Sequence, residues 1–190
     1  YMQITKYSAN GNDFVLFHTF IKKDYTADAI ELCARFSGVG ADGLIVLVPH
    51  TEHDFEWIFY NADGSEAAMC GNGSRACAHY AYHEGLAPSK MAFLTGAGVI
   101  HAEVEGDIVD SELTDYIIIN EKVEEEGKEW FFADTGVPHL VTEVDDITTF
   151  DKEICAKVRY AHNGNVNYVS LKEGSLYVRT YERGVEDETL

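Results

Sequence analysis

Apolar runs only one strand long, each closed by glycine or a polar turn, are the feature that most narrows what this chain can form. Residues 3–7 and 14–18 flank the turn Asn10-Gly11-Asn12-Asp13 and read as a hairpin. Further strands are expected at 44–48, stopped by Pro49, and at 55–60, 91–95, 99–105 and 108–113, with breaks at Gly96, Gly98 and Gly106-Asp107. Two helical stretches interrupt them. Residues 26–36 begin with Thr26 as a cap and carry Ala29, Ile30, Cys33 and Phe36 on one side. Residues 73–84 are alanine-rich and end at Gly85. The second half predicts strands at 116–119, 130–133, 140–144, 167–171 and 176–181 and a short helix at 151–158. The charged segment 121–129 reads as a solvated turn.

This mixture gives an α/β chain of the α+β kind, divided near Thr114–Asp115 into parts 1–114 and 115–190. The second part has no helix to match 73–84, which would leave one sheet face poorly covered, so an incomplete second half is expected. Met2 is read as the native start, without the basic and apolar regions of a signal peptide. No apolar run approaches the ~20 residues of a membrane helix. The net charge is −19, with only 14 Lys and Arg, which argues against nucleic-acid and membrane partners. Four cysteines, Cys33, Cys70, Cys77 and Cys155, make no CxxC pair, so reduced thiols in a cytoplasmic protein are expected.

The densest chemical signal is the block Asn61-Ala62-Asp63-Gly64-Ser65-Glu66-Ala67-Ala68-Met69-Cys70-Gly71-Asn72-Gly73-Ser74-Arg75. A cysteine immediately before a glycine-rich helix start meets unpaired N–H groups and the positive end of the helix dipole. That setting favours a thiolate and also binds anions. A lone cysteine is more often a packing residue, and Cys33, Cys77 and Cys155 are read that way. Gly38-Val39-Gly40-Ala41-Asp42-Gly43 spells GxGxxG between a helix and a strand, the reverse of a dinucleotide site. Gly71–Ala76 spells GxGxxA, but no ribose-binding acid follows at the required distance. His79 and His83 have metal-capable spacing without supporting ligands, so no metal is expected. Asp134-Thr135-Gly136-Val137-Pro138-His139 is a turn ending in histidine. Glu182 and Arg183 close a strand, and on their own they read as a surface ion pair. These residues by themselves stop at an anion-binding loop beside an activated thiol. A non-catalytic anion-binding domain stays open at this point.

Taken together, KYSANGNDF (6–14), GVGADGL (38–44), NADGSEAAMCGNGSRA (61–76), GVPH (136–139), NVNYV (165–169) and YERGVEDETL (181–190) resemble the diaminopimelate epimerase family, in family order. Proline racemases carry histidine where Asn72 stands, and the phenazine-pathway relatives replace the cysteine by an acid. The resemblance implies two similar halves, each a small barrel-like, mostly antiparallel sheet around a central helix, with the active site between them. It implies epimerisation of LL-2,6-diaminopimelate to the meso form by two cysteines and no cofactor; another pyridoxal-phosphate-independent racemase of the same fold is the alternative. Cys70 matches the first catalytic cysteine. The second belongs to an Ala-Cys-Gly-Thr/Ser-Gly motif that follows Glu-Thr-Leu, where this chain ends, so the 190 residues alone are expected to be inactive. By the same resemblance Asn12, Asn61, Gly71, Asn72, Asn167, Glu182 and Arg183 bind substrate, and His139 and Glu182 tune the thiols. Relatives often form homodimers, which is the assembly to look for. Two departures stand out: some members have Gln where Gly43 stands, and many have Asn where Val137 stands.

Overall fold

Strands with one apolar face need a layer to bury it, and the computed structural model shows how this chain supplies one. It describes residues 3–113 and 115–189; Met2 and Thr114, named above, lie outside the described residues. The chain divides into two compact units, Tyr1–Thr114 and Asp115–Leu190. Each carries one sheet, and among the described residues no helix is long and apolar enough to cross a membrane.

The first unit holds seven strands in sequential order: β1 (Thr5–Ala9), β2 (Asn12–His18), β3 (Gly43–Val48), β4 (Phe55–Asn61), β5 (Lys90–Thr95), β6 (Gly98–Glu105) and β7 (Ile108–Ser111). The first hairpin is tighter than the sequence suggested. Asn10 and Gly11 alone make the turn, with φ of 49° and 95°, the backbone of a type I′ turn. Asn12 and Asp13 therefore belong to β2, and Asn12 is buried. Helix α1 (Thr26–Cys33) joins the parallel pair β2–β3, and α2 (Gly71–His83) joins the parallel pair β4–β5. β3 is buried along its whole length because it has a helix on each side. Its Leu44, Val46 and Val48 pack with Ala29 and Cys33 of α1, while Ile45 and Leu47 pack with α2.

The sheet curls around α2, which touches β1 and β2 toward one edge and β6 and β7 at the other. A helix enclosed this closely must be thin, and Ala76, Cys77, Ala78 and Ala81 supply the small buried face. Trp57, Phe59 and Phe93 fill the space around it. α2 starts two residues earlier than the glycine pattern suggested, and α1 stops at Cys33, three residues short of the expected Phe36. The amides of Gly38, Val39, Gly40 and Ala41 take the carbonyls of Ala34, Leu32 and Cys33, which closes α1 and leaves Phe36 fully exposed. Thr26 is the first helical residue rather than the cap; its amide donates to Asp24 Oδ1 at 2.8 Å.

The second unit contains β8 (Ile117–Glu125), β9 (Lys128–Asp134), β10 (Pro138–Glu143), α3 (Lys152–His162), β11 (Asn165–Lys172), β12 (Ser175–Glu182) and β13 (Asp187–Thr189). Its six-stranded sheet runs β13-β12-β11-β10-β9-β8, and only β10–β11, joined through α3, are parallel. Asp151 caps α3 by accepting from the amides of Glu153 and Ile154, and the helix runs on to His162, four residues beyond the expected end. Trp130, Leu140, Val166, Tyr168 and Tyr181 pack with Cys155 and Val158 of α3 on one face. The pattern hairpin, helix, parallel return, hairpin is common to β1-β2-α1-β3-β4 and β9-β10-α3-β11-β12.

The charged segment 121–129 is a hairpin and not a solvated turn. Glu126 and Gly127 have φ of 50° and 72°, again type I′, and β8 pairs with β9 on either side. Val123 reaches the core, and Trp130 Nε1 donates to Glu125 O at 3.0 Å. The charges sit on an edge strand, where they discourage pairing with other chains. Gly127→Val should destabilise the chain by roughly 1–2 kcal/mol, since a β-branched residue resists this left-handed conformation. Urea unfolding checks it; an unchanged midpoint would mean the turn tolerates any backbone, as a loop does.

Candidate functional site

Loop geometry brings Cys70 to the start of α2. β4 ends at Asn61, whose amide donates to Ser65 O at 2.8 Å while Gly64 N donates to Asn61 O at 2.9 Å. Asp63 accepts from the amide and hydroxyl of Ser65, and Asn61 Nδ2 donates to Ser65 Oγ at 3.0 Å. Ala67 N returns to Phe59 O, which turns the chain back along its own strand. Cys70 is then extended, with φ −152° and ψ 120°, and serves as the N-cap of α2. Its Sγ accepts from the amide of Gly73 at 3.4 Å, and its carbonyl accepts from Ser74 N at 2.8 Å. Gly71 and Asn72 follow as the first helical residues, whose amides have no acceptor within the helix. Cys70 is half-buried. The other three cysteines are enclosed: burial pushes Cys33 up to about 11, Cys155 up to about 12 and Cys77 well above the usual thiol range.

Asn12 and Asn72 meet beside this helix start. Asn72 Nδ2 donates to Asn12 Oδ1 at 2.7 Å, and Arg75 Nη2 donates to Asn72 Oδ1. Asn12 Nδ2 donates to Asp42 Oδ2 at 3.2 Å. Asp42 and Asp13 are clamped together: Asp13 N donates to Asp42 Oδ2 and Asp42 N to Asp13 Oδ1. Arg35 donates twice to Asp13, at 2.7 and 2.9 Å, and once to Asp42 at 2.6 Å. Burial pushes the Asp13 carboxyl up, but hydrogen bonds from Arg35 and Lys6 outweigh it and hold the group at about 2. Ala62 N donates to Asp42 O, so the Asn61 loop is tied to the same aspartate. Sequence reading assigned no role to Asp13, Arg35, Asp42 or Arg75, although all but Arg35 lie inside the segments that carry the resemblance.

His79 and His83 lie side by side on α2 with ring centroids 4.1 Å apart and planes tilted by 35°, and Tyr7 Oη lies 3.0 Å from His79 Nδ1. Among the described residues no group of three or more His, Cys, Asp or Glu could hold a metal.

In the second unit His139, Asn167 and Arg183 gather at one end of the sheet. Asn167 is buried on β11, and its Nδ2 lies 3.0 Å from His139 Nδ1 and donates to Leu140 O at 3.1 Å. A carbonyl only accepts, so the amide presents its NH2 here and His139 Nδ1 accepts. Thr180 Oγ1 donates to Asn167 Oδ1 at 2.9 Å. Asn165, two residues before Asn167 and so on the same face, accepts from Arg183 N at 2.8 Å. Arg183 Nη1 donates to Asn163 O at 3.0 Å. Burial lowers the His139 pKa, and the nearby Arg183 cation acts in the same direction against Asp134. Glu182 ends β12 as Asn61 ends β4. Asn61 pairs with Gly43 at the start of β3; one step beyond the Val166–Tyr181 pair, Glu182 stands opposite Asn165 at the start of β11. The two residues thus occupy matching places in the repeated pattern. Asn165 and Thr180 were missed as partners of the candidate residues; the Asn-Val-Asn alternation was the available signal.

The family model described as Diaminopimelate epimerase matches residues 4–116. The chain is 62% identical to the diaminopimelate epimerase of a Nitratiruptor species, over all of this chain and 76% of that protein. It is 54% identical to the diaminopimelate epimerase of a Campylobacter jejuni subsp. jejuni strain, with the same coverage. Among solved structures, a probable proline racemase from Agrobacterium radiobacter with bound carbonate aligns at a TM-score of 0.71 and 10% identity, over 95% of this chain and 70% of that one. That likeness concerns the fold alone.

Gly43, where some family members have Gln, has no room for a side chain: an added Cβ would lie 2.6 Å from Phe59 Cε2 and 2.8 Å from Tyr60 O. Gly43→Ala should therefore cost about 1–3 kcal/mol, because a backbone oxygen cannot step aside as a side chain can. Thermal unfolding checks it, and an unshifted transition would show that β3 and β4 separate more easily than their pairing suggests.

Proposed function

Because this chain belongs to the diaminopimelate epimerase family, a family of isomerases, we propose that the complete protein interconverts LL-2,6-diaminopimelate and meso-diaminopimelate, with Cys70 transferring the proton on one face of the α-carbon. The observation that carries this reading is Sγ of Cys70 accepting from the Gly73 amide at the head of α2.

The obstacle is the weak acidity of the α C–H bond. The Cys70 thiolate takes that proton, the bonding pair stays on carbon, and a second acid returns a proton to the opposite face. The product differs from the substrate only in configuration, so atoms and electrons balance without a co-reactant. Carbanion character spreads onto the α-carboxylate, and fixed N–H donors stabilise it most where charge grows; one such donor supplies about 3–4 kcal/mol in favourable sites. The amides of Gly71 and Asn72 suit that task, since they head the helix and the helix dipole adds to their effect. The same dipole favours the thiolate over the thiol. Asn12, Asn61, Asn167, Glu182 and Arg183 are assigned to holding the substrate, and His139 and Glu182 to adjusting the thiols. Asn167 keeps His139 with an unprotonated Nδ1 facing its amide. No cofactor enters this scheme.

Cys70→Ala in the complete protein should lower turnover by at least ~10²-fold, the contribution of a general acid or base. Exchange of α-hydrogen for deuterium, followed by mass spectrometry, measures it; near-normal exchange would refute the role of this sulfur. A second expectation concerns the 190 residues by themselves. Two-base chemistry needs a second proton-transfer group, and Cys33, Cys77 and Cys155 are buried with raised pKa values. The isolated chain should show no epimerisation above the blank, and clear turnover by it would contradict the two-cysteine scheme.

A further inference from the structure

A side-chain amide presents oxygen on one side and NH2 on the other, so a ligand that reads it depends on neighbours to fix which way it faces. In the first unit two such amides are fixed in series. Arg75 has only donors, and its Nη2 engages Asn72 Oδ1. Asn72 is thereby turned to donate through Nδ2 to Asn12 Oδ1 at 2.7 Å. Asn12 in turn donates through its own Nδ2 to Asp42 Oδ2 at 3.2 Å. A carboxylate only accepts, so neither amide can turn over without setting donor against donor or oxygen against oxygen. Asp42 is itself anchored, by Arg35 at 2.6 Å and by the amide of Asp13 at 3.1 Å.

We propose that Arg75 and Asp42 are positioning residues for the substrate site: as the donor-only and acceptor-only ends of the chain Arg75 to Asn72 to Asn12 to Asp42, they set the direction of both amides. Each amide uses one N–H and its oxygen within the chain, which leaves one N–H each for a ligand among the described residues. Two N–H groups beside a guanidinium suit a carboxylate and disfavour an ammonium group. The inference rests on the reading of Asn12 and Asn72 as substrate-binding residues and adds what makes them selective. Neither Arg75 nor Asp42 needs to touch the substrate for this effect.

The test uses the complete protein. Arg75→Met should raise KM for LL-diaminopimelate at least ~10-fold, as expected for losing a hydrogen bond to a charged group, with a smaller change in kcat. Arg75→Lys, which keeps a donor, should recover part of the loss. Asp42→Asn should raise KM from the other end, because its NH2 must confront a donor on one side. Side-chain amide NMR signals of Asn12 and Asn72 should shift in all three variants while backbone dispersion is retained, a change that a loss of general stability does not produce. If Arg75→Met does not fold, Arg75→Lys and Asp42→Asn carry the comparison. Folded variants with unchanged KM, or with unmoved Asn12 and Asn72 amide signals, overturn the proposal. A wild-type protein without epimerase activity would remove the functional reading alone, since the amide signals still report whether Arg75 and Asp42 set the orientation.

Discussion

One hydrogen bond ties fold to chemistry here: the amide of Gly73 given to the sulfur of Cys70. A helix must satisfy its first amides somehow, and serine, threonine, aspartate or asparagine usually does so. Using cysteine for the cap places a nucleophilic atom where the helix concentrates positive potential. The structural need of α2 and the need that the proposed mechanism sets for the sulfur are met by the same contact. Small buried side chains along α2 let the sheet close around it, so the position of its first turn follows from the packing of the whole first unit.

Around that point the polar residues are layered. Closest are the amides of Gly71 and Asn72 and the side chains of Asn12 and Asn72. Behind them, Asp42, Asp13, Arg35 and Lys6 form a charged cluster that fixes the start of β2, the entry to β3 and the loop after β4. An exposed ion pair alone contributes little to stability. Here the charges share partners and include backbone amides, so their value lies in holding several chain segments in register. In the second unit the same service is given without charge, by Thr180, Asn167 and the carbonyl of Leu140 around His139.

Most of the elements, and the place of Cys70 at a helix start, were legible in the residues because their signals are local. Glycines after Cys70, alternating strands and an alanine-rich helix each act over a few positions. What escaped depends on distant partners. Asp13 and Asp42 are far apart in the chain, and only the parallel pairing of β2 with β3 brings them together. The end of α1 at Cys33 escaped because amides from the following glycine-rich turn take its carbonyls. The β8–β9 hairpin escaped because the charge of 121–129 suggested solvent, while Val123 packed on the core and the Glu126-Gly127 turn were the deciding features. The matching places of Asn61 and Glu182 are visible only once strand registers are known.

The unequal burial of the four cysteine sulfurs bears on how the protein meets oxidants. Peroxides attack thiolates, and three sulfurs of this chain are kept as enclosed, protonated thiols. Among the four cysteines the half-buried Cys70, the sulfur on which the proposed activity depends, is the one open to oxidants, while the thiols in the hydrophobic interior are shielded. Under the proposed mechanism, oxidation to the sulfenic acid would remove function before it disturbed the fold, and a reducing agent applied at that stage would restore it.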